Sequence, residues 1–308
     1  MTTLLYSHAS CIAHDPGAHH PERPDRLRAV LEALDDRVFE GLERREAPCA
    51  ETAWIERVHD AGYVAATLAA EPCEGRAHLD PDTAMSPGSA EAALRAAGAL
   101  CAAVDAVVAG EGKNAFCAVR PPGHHAEHDR AMGFCLFNNV AIGARHAQAA
   151  HGLSRVAVVD FDVHHGNGTQ HMFEAHSDLF FASTHQFPYY PGSGAAAEVG
   201  VGNIVNAPLE AGAGSMEFRA AMSDRILPSL RQFAPDFLLV SAGFDAHAAD
   251  PLAALNLLEA DYEWATAELC AVADECCASR LVSTLEGGYD LAALASSAAA
   301  HVRALMAA

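Results

Sequence analysis

The chain reads as an α/β protein whose central parallel sheet is covered by helices on both faces. Short runs that are apolar throughout recur along it, as strands buried on two sides require. Between them, apolar residues return at i, i+3, i+4 and i+7, the stripe of a helix with one buried face. Several apolar runs are followed at once by metal-capable or acid–base residues, the place where a parallel sheet collects its binding sites.

In order, the candidate strands are residues 4–7, 115–120, 156–161, 179–183, 204–206, 237–242 and 281–285. After Pro24, suited to a first helical turn, Leu27, Val30, Leu31 and Leu34 form a stripe. Leu94, Ala97, Cys101, Val104 and Val108 make another, capped by Ser86 or Ser89 and ended near Gly110. Residues 261–278 and 291–306 read as the last two helices, and 188–202 as one long surface loop of the kind that often binds ligands. Alternating strands and helices imply βαβ units. No repeat or Pro/Gly/Ser linker divides the chain, so residues 1–308 are expected to form a single domain.

A hydrophobic content of 51% with 19% charged residues excludes wholesale disorder. A formal charge of −21 argues against nucleic acid as a partner, since phosphate recognition needs basic patches. It would steer cationic substrates inward, although an ordinary acidic cytosolic protein explains it equally well. Nine cysteines without a Cys-x-x-Cys spacing exclude a zinc ribbon and argue against a disulfide framework. Residues 1–20 lack a signal-peptide pattern and no apolar stretch is long enough to span a bilayer. A cytoplasmic protein with no membrane partner is the expectation.

Four segments carry the chemistry: Pro121-Pro122-Gly123-His124-His125, Asp160-Phe161-Asp162-Val163-His164-His165-Gly166, Ser241-Ala242-Gly243-Phe244-Asp245 and Glu286-Gly287-Gly288-Tyr289. Asp160, Asp162 and His164 alternate along what begins as a strand, so their side chains are expected on one face. Asp162, His164 and Asp245 make a three-ligand set with a position open to water, the pattern of a catalytic metal site. Any one of them alone would more often cap a turn. Asp160 suits a carboxylate that orients a histidine from behind the ligands. His124 and His125 can flank a substrate, one moving a proton, with Asp160 and Asn167 as candidates to hold their tautomers. Tyr289 follows two glycines that permit close backbone approach, so its phenol could serve a developing oxyanion. A lone Tyr in such a place is more often a half-buried loop residue.

From His20-Pro21-Glu22-Arg23-Pro24 to Glu286-Gly287-Gly288-Tyr289, these segments closely resemble the zinc-dependent histone deacetylase superfamily, including bacterial histone deacetylase-like amidohydrolases and acetylpolyamine amidohydrolases. The resemblance implies a three-layer α/β/α domain of the arginase–deacetylase type. It implies one Zn²⁺ per chain on Asp162, His164 and Asp245, with His125 as general base and acid, His124 as its electrostatic partner and Tyr289 as the transition-state phenol. It places Gly133, Phe134 and Tyr190 along the substrate channel and, more loosely, Arg26 near an inner acetate pocket. It implies a monovalent-cation site, usually K⁺, at Asp160, Asp162, His164, Ser183 and Thr184, and a second using Phe173 and its neighbours.

Asn167 stands where class I members carry aspartate, which resembles the class II pattern. Leu252 replaces a glutamate gatekeeper of one polyamine-preferring branch, and no channel-narrowing insertion lies between Tyr63 and Ser86. The reading is a zinc-dependent amidohydrolase that removes acetyl or another short acyl group from acyl-lysine-type amides. Acetylpolyamines or other small acetylated amines are the alternative substrates, and a non-catalytic acyl-lysine binder or an arginase-like two-metal hydrolase the other readings. Two carboxylates and an imidazole would also suit Fe²⁺ or Co²⁺. A homo-oligomer is left open.

Overall fold

The computed structural model describes residues 2–308. Its strands are β1 (Thr3–Ser7), β2 (Glu43–Glu46), β3 (Ala77–Asp80), β4 (Thr83–Met85), β5 (Asn114–Cys117), β6 (Val156–Asp160), β7 (Leu179–Gln186), β8 (Ile204–Leu209), β9 (Phe237–Ala242) and β10 (Leu281–Leu285). Eight of them form one sheet in the order β2-β1-β5-β10-β9-β6-β7-β8, with every pairing parallel. β3 and β4 form a separate antiparallel hairpin.

The inner strands are buried along their whole length because both faces are covered, which is why their sequences are continuously apolar. Helices Ser89–Val108 and Asn139–His151 pack together on one face, against β5 and β6. On the other, Asp25–Ala33, Leu291–Ala307 and Glu259–Cys276 pack in series. Helix Asn139–His151 begins where the Asn138 side chain accepts a hydrogen bond from the Ala141 amide, and it ends at Gly152 in the left-handed conformation. The longest helix starts at Ser89 with Gly88 at its N-cap, so neither Ser86 nor Ser89 caps it; the Ser89 hydroxyl instead accepts a hydrogen bond from the Ser86 amide.

Two expected strands are longer in the structure: β7 runs to Gln186 and β8 to Leu209. The strand expected over 115–120 stops at Cys117, because residues 118–123 leave the ladder to carry the histidines toward the site. β2 has no apolar residue to announce it. It pairs with the edge of β1, while Arg44 and Arg45 engage Asp35, Glu43 and Glu111, charges that blunt a sheet edge.

The strand order decides where the chemistry gathers. β5, β10, β9 and β6 are consecutive neighbours at the centre of the sheet. The loops leaving their carboxyl ends carry His124 and His125, Glu286 to Tyr289, Asp245, and Asp160 to His164 respectively. Four segments far apart in sequence therefore open onto one edge.

Candidate active site

β6 ends at Asp160, so Asp162 and His164 lie in the following loop and not on a strand face. The expected strand alternation is replaced by two side-chain-to-backbone turns: Asp160 Oδ1 accepts from the Asp162 amide at 3.0 Å, and Asp162 Oδ1 from the His164 amide at 2.9 Å. The other oxygen of Asp160 accepts from His124 Nδ1 at 2.9 Å.

His164 Nδ1 sits 3.1 Å from both Asp162 Oδ1 and Asp245 Oδ2. Backbone amides hold the other oxygens, Gly287 on Asp162 Oδ2 and Val163 on Asp245 Oδ1, each at 2.8 Å. The ligand atoms of all three residues lie within 4.8 Å of one another, and the residues are buried. Although burial opposes charge on the imidazole, the two carboxylates outweigh it and hold His164 well above the usual histidine range. Such a cluster calls for positive charge, and a divalent cation satisfies it better than a shared proton, so the donor set fits a tetrahedral metal with one open position.

Gly287 shows how closely the backbone approaches. A Cβ there would lie 2.0 Å from Asp245 Oδ2 and 2.6 Å from Asp162 Oδ2, so only glycine lets this amide reach the pair.

His124 and His125 differ in what backs them. Burial would lower the pKa of His124, but Asp162 and Asp160 override it and push it up to about 10. His125 is driven well below the usual range by burial and by the neighbouring charges of His124 and His164. Its Nδ1 bonds Asn167 Oδ1 at 2.7 Å, while Nε2 has no partner among the described residues. An amide oxygen only accepts, so the proton is on Nδ1 and Nε2 is a free base. One ring is a cation and its neighbour a base, an arrangement that separates the two roles.

Tyr289 closes the group. Burial, partly offset by Arg26, holds its phenol well above 10, so it remains a donor. Arg26 is fully buried and lies behind this turn. It donates to the carbonyls of Gly288 and Glu286, both at 2.5 Å, with its guanidinium 4.8 Å from the Tyr289 ring centroid.

His125, His164 and Tyr289 share a cavity of about 190 Å³ with Asp82, Gly133, Phe134, Tyr189, Tyr190 and Leu252. The Tyr190 ring meets His125 edge-on at 5.2 Å and Phe134 meets Tyr289 edge-on at 5.9 Å. Phe134 has a φ of 69°, an uncommon conformation for a bulky residue. Thr83 Oγ1 on the Phe134 amide and Asp82 Oδ1 on the Gly133 amide hold this wall, so the β3–β4 hairpin braces the tunnel. Gly133 could carry no side chain, since a Cβ would lie 2.4 Å from the His125 ring.

Sequence reasoning missed Tyr189, Asp82, Glu286 and Asp250. Tyr189 stacks on His164 at 5.8 Å and donates to the Leu252 carbonyl. Glu286 accepts from the Gly123 and His124 amides, and burial raises it to about 7. Asp250, likewise raised to about 7 by burial, holds the Tyr289 amide at 2.7 Å. Glu286 at least stood inside a quoted segment, whereas Asp250 and Asp82 carry no local signal.

Of the cation-site candidates, Asp160 pairs in register with Ser183, whose hydroxyl meets His185 Nδ1 at 2.9 Å; Thr184 follows, buried. The Phe173 carbonyl already accepts from the His176 amide and Asn203 Nδ2, both at 2.8 Å. Asn203 Nδ2 also lies 2.9 Å from the His176 carbonyl and 2.7 Å from that of Leu179, so carbonyl oxygens converge beside Phe173. A second trio, Asp105, His146 and His151, joins two helices, with both Nε2 atoms within 2.7 Å of one Asp105 oxygen. Arg57 donates to His146 Nδ1 at 3.1 Å, which leaves the proton on His146 Nε2 and makes this a hydrogen-bonded clamp.

The histone deacetylase domain model matches residues 20–305. The chain belongs to the histone deacetylase domain family. Within it, the chain is 40% identical to "Histone deacetylase 14, chloroplastic" of Arabidopsis thaliana over 98% of its own length and 76% of that protein's. It is 41% identical to the "Histone deacetylase-like amidohydrolase" of Pseudomonas aeruginosa, over 88% of this chain and 73% of that one. The crystal structure of the HDA15 HD domain matches with a TM-score of 0.94 at 36% identity, covering 99% of this chain and 88% of that chain. The family's three-layer deacetylase architecture is thus the fold of this chain.

Proposed function

We propose that the protein hydrolyses the amide between a short acyl group, acetyl above all, and the primary amine of an acyl-lysine-type side chain. One observation carries this reading: a free imidazole base, a protonated phenol and a three-residue metal donor set meet at one aromatic-walled cavity.

Asp162, His164 and Asp245 would hold one Zn²⁺, which when bound polarises a carbonyl and makes water nucleophilic near neutral pH. His125 Nε2 takes the proton from the attacking water and returns it to the departing nitrogen, giving acid and free amine. His124, held cationic by Asp162 and Asp160, keeps the neighbouring ring neutral and ready to accept. Tyr289 donates to the acyl oxygen as charge builds there. Phe134 and Tyr190 grip the alkyl chain, and Gly133 leaves space between wall and base.

A K⁺ ion behind the site would use the carbonyls of Asp162 and His164, to which no backbone hydrogen bond is found among the described residues, alongside Asp160, Ser183 and Thr184.

The half-buried carboxylate of Asp82 at the tunnel and the net charge of −21 favour a second substrate class, a small acetylated polyamine. Metal-loaded enzyme assayed side by side on acetyl-lysine peptides, trifluoroacetyl-lysine and acetylputrescine separates the two. Activity on the peptides with little on acetylputrescine is the expected result. A zinc-loaded protein inert on the whole panel, or no faster than its Tyr289→Phe variant, would leave a binder in place of an enzyme.

A further inference from the structure

Asn167 holds His125 in its working tautomer only if its own amide faces the right way. The two ends of an Asn side chain are nearly the same shape but opposite in hydrogen bonding. With Oδ1 toward His125, the ring carries its proton on Nδ1 and presents Nε2 as a base. With Nδ2 there instead, the ring would have to accept at Nδ1, and Nε2 would carry the proton and be useless for taking another.

What faces the far end of that amide is a carboxylate. Asn167 Nδ2 donates to Glu127 Oε1 at 2.5 Å and more weakly to the His125 carbonyl at 3.3 Å. Glu127 is mostly buried, with a side-chain exposure of 12%, and its carboxylate meets His171 Nδ1 at 2.9 Å through both oxygens. Its amide bonds the Arg130 carbonyl at 2.9 Å, fixing the turn that carries it. Burial raises its pKa, but hydrogen bonds from His171 and Asn167 outweigh this and leave it below the usual range. An ionised carboxylate offers acceptors alone, so it admits only the NH₂ end of Asn167.

We infer that Glu127 is a positioning residue for the deacylation reaction: by fixing the orientation of the Asn167 amide, it sets the tautomer of His125 from two hydrogen bonds away. Glu127 touches neither substrate nor reacting atoms. The inference rests on His125 being the base, as proposed above.

A donor at position 127 should reverse the setting, and an acceptor-only side chain at 167 should restore it. In E127K the ammonium attracts Asn167 Oδ1 and turns Nδ2 toward His125. In N167D alone, two carboxylates face each other. In E127K/N167D, the aspartate accepts from both the lysine and His125 Nδ1. Each single change is expected to lower kcat by about 10- to 100-fold with KM within about twofold, a range set by groups that support a catalytic side chain from behind. The double variant should recover most of the loss, and E127Q, which can still accept from Asn167, should lose least.

Long-range proton–nitrogen NMR of the zinc-loaded enzyme reads the tautomer without reference to turnover. The wild type should show His125 protonated at Nδ1, and E127K should move the proton to Nε2. Should E127K not fold, Glu127→Ala carries the same spectrum, with a mixture of the two tautomers expected. Unchanged tautomer in these variants, or a double variant no faster than E127K, overturns the inference. A wild type inert on every acyl amide would instead remove the proposed reaction, and the spectra would still decide the tautomer.

Discussion

Tyr289 shows how little a residue reveals until its neighbours are known. Following two glycines, it could have been any half-buried loop tyrosine; in the structure it is a protonated phenol sharing a cavity with His125 and His164. Replacing it with Phe removes one donor and little volume. Tyr289→Phe is therefore expected to lower kcat by about 100- to 1000-fold, the usual effect of deleting one oxyanion donor. Zinc content measured on the same preparation should be unchanged, since Tyr289 is no ligand. Asp162, His164 and Asp245 were legible as metal-capable because three such groups at strand ends are hard to explain otherwise. Asp250 and Asp82 were not, since a single acidic residue in a loop has no signature until the backbone amides it serves are known.

At the scale of elements, the site is made by turns more than by strands. The alternation of Asp160, Asp162 and His164 suggested one strand face, yet the chain leaves β6 at Asp160 and side-chain bonds to backbone amides aim the three groups. Side-chain and ladder bonding compete for the same amides, and sequence does not say which prevails. The turn after β10 is equally constrained. In Gly287→Ala, a methyl would have to displace both carboxylates, so zinc affinity should fall by at least about 10-fold while the sheet stays folded. Equilibrium dialysis against a chelator, with circular dichroism as a fold control, measures this; wild-type affinity would refute it. The β3–β4 hairpin was invisible because its importance lies in bracing Gly133 and Phe134, about fifty residues away.

At the scale of the whole molecule, buried charge ties the chain's distant parts together. Glu22 is fully buried between Arg26 and Arg120, bonding Arg26 Nη1 and Arg120 Nη2 at 2.9 and 2.7 Å, while Arg120 also holds the Cys11 and His14 carbonyls. Glu22→Ala strands two buried guanidinium groups and should cost about 3–5 kcal/mol in urea unfolding; a loss under about 1 kcal/mol would show the cluster to be dispensable. His301 gives a pH dependence. Burial lowers it to about 3, and it sits between the Thr266 and Ser283 hydroxyls. Its folded pKa lies below the unfolded value near 6.5, so the unfolded chain binds the proton first. Stability is full above about pH 6.5 and falls as pH drops toward 3. This histidine should account for about 2 kcal/mol of the loss between pH 7 and pH 5. His301→Gln should unfold with a shallower pH dependence over that interval, and an identical slope would count against it.

Continuously apolar runs and striped helices determined, from sequence alone, that the chain builds a covered parallel sheet, because such strands are stable only with both faces buried. Sequence also determined the kinds of reactive group available. Tertiary structure alone decided that β5, β10, β9 and β6 stand side by side, which brings those groups to one cavity. It alone decided that Glu127 stands behind Asn167, and that β2 and the hairpin form at all. Local pattern records which surface a residue must bury. Strand order and the direction of a polar side chain depend on partners far along the chain, and no window of sequence contains them.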